Sequence, residues 1–460
     1  MPLTRRQFVT RSAMASALLG QGLPSFAKAD LTEITARSGK VQLAPADYPM
    51  TEVWGYDGLA PGPVLRCQQG DRLQRRLVNA LEQPTSIHWH GIRIDNAMDG
   101  VPGLTQAAVP PGGHFDYDFA LPDAGSYWYH AHWASPEQVG RGLHGALIVE
   151  EAEAPEVDRD EVLVLDDWRL NPADAQIMAD FDNRHDLSHA GRYGNIATCN
   201  GQYDAVMPVK RHERLRLRLM NVANARIFTL ALQDLEGWVM ALDGMPLAQP
   251  EVAGTLTLAP GQRVDLIVDV TAEEEALLVR TEPNGEDWVQ VAFPVRGQAT
   301  ATRRPAPIAL PPNPNMATSG LNDARPVELL MEGGAMGGMA GATYQGQALG
   351  MRELVQQGQF WAFNGTSGRT DSPLTRASLG EAVKVRINNQ TAFAHAMHLH
   401  GMHFREVLAT GYGPMRDTLL VERGEIREVA FVADNPGKWL FHCHMLGHAA
   451  SGMSSWIDVG

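Results

Sequence analysis

Cysteine is scarce in this sequence, positive charge is short, and no long apolar run occurs after the first residues. Three cysteines in 460 residues cannot form the dense bridging on which small secreted folds depend. Cys67, in Val64-Leu65-Arg66-Cys67, and Cys199, in Ala197-Thr198-Cys199-Asn200-Gly201, read as strand positions. They are expected to be buried free thiols, with a Cys67–Cys199 bridge as the alternative. Lysine and arginine total 38 against 53 acids, a formal charge of −15. That balance disfavours nucleic acid and anionic membranes as partners and could attract cations. No stretch is long and apolar enough to be a membrane helix.

What the chain does have is glycine and proline, 45 and 29 residues, among many short Val/Leu/Ile runs, which points to an all-β fold. Hydrophobic content of 44% with 20% charged residues describes a globular protein, and the length suggests about three domains. The first 29 residues are set apart. Thr4-Arg5-Arg6-Gln7-Phe8 is a twin-arginine export pattern, Ala13 to Leu19 is mildly apolar, and Ala27-Lys28-Ala29 offers a cleavage site. Residues 1–29 are therefore predicted to be a signal peptide read by the twin-arginine export machinery, which places the mature chain in the periplasm. Its removal takes away Arg5, Arg6, Arg11 and Lys28 and no acids, shifting the charge from −15 to −19.

Residues 30–150 form a first predicted domain, with runs such as Gly145-Ala146-Leu147-Ile148-Val149. A second covers 151–302 and includes the strictly alternating Leu215-Arg216-Leu217-Arg218-Leu219. A proline-rich linker spans 303–325, and a third domain covers 326–460. Within the third, Gly333 to Gly350 is expected to be an irregular loop. Gln69-Gly70-Asp71-Arg72-Leu73 and Leu379-Gly380-Glu381-Ala382-Val383 each precede a histidine-rich motif by a similar interval, suggesting duplicated β-sandwiches.

Ten of the 16 histidines fall in four clusters. They are His88-Trp89-His90-Gly91, His130-Ala131-His132, His395-Ala396-Met397-His398-Leu399-His400, and His442-Cys443-His444 with His448. On a strand, each His-x-His aims two imidazoles at one point, and His442 and His444 face away from Cys443. Imidazoles alone do not choose a metal. Cys443 with one histidine and the weak thioether Met453 follows the blue-copper pattern, which takes a second histidine from elsewhere in the chain. If the paired histidines share one cluster, that cluster lies between the first and third domains.

These motifs in this order resemble the three-domain multicopper oxidases, the bacterial laccases and cuprous oxidases, over essentially the whole mature chain. The resemblance implies three cupredoxin-like Greek-key β-sandwiches and four copper ions. It also implies one-electron oxidation of a donor coupled to four-electron reduction of O2 to water. Carried over by residue, it implies a type 1 copper on His395, Cys443 and His448 with Met453 axial, and a type 2 copper on His88 and His398. The type 3 pair would sit on His90, His130 and His444 and on His132, His400 and His442. Asp99, ahead of Gly100, matches the family's proton-supplying acid. His114, His144, His185, His189, His212 and His403 are read as surface or packing residues, His403 lying near the ligands.

The donor is expected to be a phenol, in the laccase-like manner. The alternative is Cu(I), with Met331, Met336 and Met339 as soft ligands. Copper-oxidase relatives carry an Asp and a Met before the motif where this chain has Gln390-Thr391-Ala392-Phe393-Ala394, which weakens that alternative. A copper-free scaffold of the same fold is a further alternative, which the complete ligand set opposes. The protein is expected to be a monomer.

Overall fold

The computed structural model describes residues 31–317 and 320–460. The signal peptide expected over 1–29 lies outside the described residues. Among those residues no helix is long and apolar enough to cross a membrane.

Alternating apolar residues build paired, mostly antiparallel sheets in each third of the chain, each third also containing a parallel strand pair. In the first, Thr51–Tyr56, Thr32–Val41, Arg72–Asn79 and His114–Ala120 form one sheet. Gly62–Gln68, His144–Glu150, Gly125–Ala131 and Ile87–His90 form the facing one. Trp89 closes the space between them, its ring 5.5 Å from Tyr117 and 5.1 Å from Phe119. The middle third contains a six-stranded and a five-stranded sheet around a core of its own. The last third contains a six-stranded sheet and a five-stranded one whose inner strands are Ser454–Val459, Gly437–Cys443 and His395–Leu399. The cores of the first and last thirds are continuous, from Ile34 and Trp89 through Met397 and Cys443 to Val459. The cupredoxin-like all-β architecture is therefore present, with the first and last thirds fused through their interiors.

Two expectations, for residues 333–350 and for Cys67, need correction, and one strand is buried further than alternation alone suggests. The segment from Gly333 to Gly350 is not irregular throughout, because Gly341–Tyr344 and Gln347–Gly350 pair as a hairpin. Its glycines supply the turn, with Gly346 at φ +78°. The alternating strand Arg214–Asn221 has no solvent face: all eight residues are buried. Its arginines are covered by carboxylates, Asp269 on Arg214, Glu151 and Asp265 on Arg216, and Asp160 and Asp265 on Arg218. Charge pairing has replaced hydration on that face. Cys67, Cys199 and Cys443 are all free thiols, Cys199 and Cys443 buried but Cys67, contrary to expectation, only half-buried on its strand.

Candidate metal centre

Strand pairing brings the motifs together. Ile87–His90 lies against Gly125–Ala131 with His88 opposite His130. His395–Leu399 lies against Gly437–Cys443 with His398 opposite His442 and Met397 opposite Cys443. Because neighbours on a strand face opposite ways, Cys443 points to one site while His442 and His444 point to another.

The Cys443 site joins His395, Cys443 and His448, whose candidate ligand atoms lie within 4.8 Å of one another. Sγ is 3.6 Å from His395 Nδ1 and 3.8 Å from His448 Nδ1. Thr391 Oγ1 holds His395 Nε2 at 2.8 Å, so that Nδ1 is the nitrogen turned inward. Met453 is fully buried, and its backbone carbonyl accepts from Cys443 N at 3.1 Å. Burial pushes the Cys443 thiol up to about 12, so thiolate formation there needs a cation to replace the proton.

The other histidines converge behind it. His90, His130 and His444 form one group, His132, His400 and His442 a second, and His88, His90 and His398 a third. The rings of His88 and His400 stack at 3.7 Å, as do those of His90 and His398. His400 Nε2 and His442 Nε2 face each other at 3.1 Å. Burial lowers the proton affinity of His90, His130, His132, His398, His400, His442 and His444. Neutral rings keep a lone pair for a metal. One ring nitrogen of several is oriented by the protein: His88 by Asp99 O at 2.8 Å, His130 by Ala131 O at 3.1 Å, and His398 by Asp417 O at 3.0 Å. The opposite nitrogens, Nε2 of His88, His130 and His398, are buried without a partner. Hydrogen-bonded on one side and vacant on the other is how a metal-binding imidazole is built.

Asp99 is fully buried beside this group, its carboxylate 3.1 Å from His400 Nδ1 and 3.3 Å from His88 Nδ1. A pocket of about 210 Å³ lined by Val101, Arg369, His132 and His442 adjoins this group.

Three partners had no signal in the sequence. Asp417 contacts His90 Nε2 at 3.2 Å and takes both arms of Arg263, from the middle third, at 2.8 and 2.6 Å. Burial would push the Asp417 carboxyl up, but Arg263 and His90 hold it well below the usual carboxylate range. Trp361 packs 4.5 Å from the His448 ring. His189, read as a surface or packing residue, accepts a hydrogen bond from His448 Nε2 on its main-chain carbonyl at 2.7 Å. His403 is buried, 3.7 Å from Asp417, and His144 pairs with Asp166 at 3.0 Å.

Family models described as multicopper oxidase match residues 38–154, 159–292 and 344–460. The crystal structure of Lac15 from a marine microbial metagenome is 40% identical, over 93% of this chain and 100% of that one, with a TM-score of 0.76. The structure of a multi-copper oxidase from Pseudomonas thermotolerans is 32% identical, over 93% of this chain and 98% of that one, with a TM-score of 0.80. Multicopper oxidase MmcO of Mycobacterium tuberculosis is 29% identical, covering 89% of this chain and 84% of its own.

Proposed function

The chain belongs to the multicopper oxidase family, and on that premise we propose that it holds four copper ions and oxidises phenols, one electron at a time. Membership makes it an oxidoreductase with copper as cofactor and oxygen as acceptor. In the proposed assignment His395, Cys443 and His448 bind type 1 copper with Met453 axial, and His88 and His398 bind type 2. The type 3 ions sit on His90, His130 and His444 and on His132, His400 and His442. The observation carrying this is the set of buried imidazole nitrogens with no protein partner, Nε2 of His88, His130 and His398 and Nδ1 of His90.

When bound, the copper ions supply one-electron acceptance at the Cys443 site and four-electron reduction of O2 at the other. The protein supplies the placement. Cys443 is joined to His442 and His444 through the backbone, and His442 Nδ1 also donates to the Cys443 carbonyl at 2.9 Å, so covalent and hydrogen-bonded routes both link the two sites. Arg263 and Asp417 orient His90 from across the seam. Asp99, in contact with His88 and His400, is the proposed source of the protons that water formation consumes. Residues 1–29 are proposed to send the folded chain through the twin-arginine route to the periplasm, where it acts as a monomer.

Of the three methionines considered for Cu(I), Met331 is fully buried in the core, Met339 packs against Ala342, Leu354 and Ala362, and Met336 alone is well exposed. A single thioether makes a poor soft-metal site, which supports the phenolic reading over the cuprous one. The test is metal analysis together with oxygen uptake by the copper-loaded mature protein. About four coppers per chain and faster turnover with 2,6-dimethoxyphenol than with Cu(I) are expected. Preference for Cu(I) would make it a cuprous oxidase, and absence of copper a scaffold.

A further inference from the structure

The type 1 ligand His448 is closed off from solvent. The segment from Arg184 to Gly191 lies over it, fixed on both sides. Asp186 takes two hydrogen bonds from Arg169 at 2.6 and 3.0 Å. Leu187 O accepts from Trp361 Nε1 at 2.6 Å and Ser188 O from Ala335 N at 2.7 Å. Gly191, at φ +94°, is packed so closely that a Cβ there would lie 2.5 Å from the Ala225 Cβ. No donor can touch the His448 ring while this segment is in place. Among the described residues, the only hydrogen-bond partner of Nε2 is the His189 carbonyl.

The outer surface of the same segment carries two imidazoles. His185 is exposed and His189 half-buried, and their rings stack at 3.9 Å and 11°. Phe393 meets His189 edge to face at 5.7 Å, and Trp361 lies between Phe393 and His448, at 6.0 and 4.5 Å. His189 Nδ1 lies 3.0 Å from both the His185 carbonyl and Ser188 Oγ, so its partners are on the segment itself, and Nε2 is the ring nitrogen without a hydrogen-bond partner among the described residues. Met336, 81% exposed, sits on the loop that Ala335 ties to Ser188.

We propose that the His185–His189 stack is the docking face for the donor, an electron-rich phenol, and that the His189 carbonyl conducts its electron to His448. The proposal rests on the phenol-oxidase reading. The phenol ring stacks on the imidazoles and its hydroxyl donates to His189 Nε2. Each phenol loses one electron and its hydroxyl proton and leaves as an aryloxyl radical. The proton would go to bulk water, and the electron would be accepted by the copper that His395, Cys443 and His448 would hold, cupric becoming cuprous. Four such events match one O2 and four protons giving two waters.

The test is anaerobic stopped-flow bleaching of the blue absorption of the copper-loaded full chain, comparing 2,6-dimethoxyphenol with hexacyanoferrate(II). Any residue at 189 keeps the carbonyl, so His185→Ala and His189→Ala should retain blue absorption and type 1 potential. The ratio of phenol to hexacyanoferrate rates should fall about three- to tenfold, the range of a lost ring contact, and His189→Phe should recover part of it. An unchanged ratio in both alanine variants, with the wild type bleached by phenol, would overturn the docking face and leave the phenol-oxidase reading intact. A wild type bleached by Cu(I) but not by phenol would overturn the reading itself and the docking face with it.

Discussion

Histidines line one buried seam of this molecule and arginines line another, and the two differ in what each side chain finds to bond. Arg214 makes two hydrogen bonds to Asp269 at 2.6 and 2.7 Å. Arg216 is held by Glu151 and Asp265, and Arg218 by Asp160, Asp265 and Ser126. In the histidine seam, by contrast, one nitrogen of each of several rings is bonded and the other is left bare. A buried polar group is costly unless it is satisfied. The arginine seam meets most of that cost within the chain, leaving only Arg216 Nε and Asp265 Oδ1 without a partner, and serves as structure, whereas the histidine seam leaves it to a ligand from outside.

The largest effect should come from breaking the histidine side at its thiolate. Cys443→Ser should abolish the blue absorption and reduce oxygen uptake to background while the metal-free protein unfolds at nearly the same urea concentration as wild type. Loss of folding in that variant would mean the thiol is structural.

Breaking the arginine side should do the reverse. Arg216→Met leaves buried Glu151 with only the 3.9 Å contact to Arg218 and should cost roughly 3 kcal/mol in urea unfolding, the lower end for a broken buried pair. The surviving folded fraction should remain blue with a full copper load. Loss of copper in that fraction would show that the two seams are not separate devices.

His403 sharpens the comparison, because it is a buried imidazole with neither nitrogen hydrogen-bonded and no assigned metal. Burial lowers it to about 4 from an ordinary 6.5. Between those values the unfolded chain binds a proton that the folded chain does not, so stability is lost as pH falls through that window, by up to about 3 kcal/mol. Urea midpoints of the copper-loaded protein at pH 7 and pH 4.5 should show this, and His403→Gln should flatten the dependence.

Asp99→Asn is the smallest and most local change. It keeps the shape beside His88 and His400 but removes the carboxylate, and should slow oxygen uptake about a hundredfold, the low end for general acid catalysis, with blue absorption unchanged. Unaltered turnover across pH would remove Asp99 from proton delivery.

Much of this arrangement was legible in the sequence because strand periodicity is local. The spacing of His442, Cys443 and His444 follows from the alternation of side chains, and the paired motifs from the same rule. What could not be read depends on distant pairing. Nothing near Asp417 indicates that it lies against His90, since Arg263 and His90 come from other parts of the chain. The alternation of Leu215 to Leu219 was visible, yet not that acids elsewhere would cover its arginines. His189 was hidden more completely, because its main-chain carbonyl makes the contact and any residue type provides one.

The continuous interior shared by the first and last thirds also sets a timetable. His88 to His132 are synthesised early, but their partners His395 to His448 follow only after more than half of the chain has been made. At about 5–20 residues per second, the early histidines spend on the order of tens of seconds without the strands that complete their site. On the proposed assignment, copper met in that interval would find only the first-third histidines, with no Cys443 beside them. Correct loading therefore belongs after synthesis, to a chain already closed on itself.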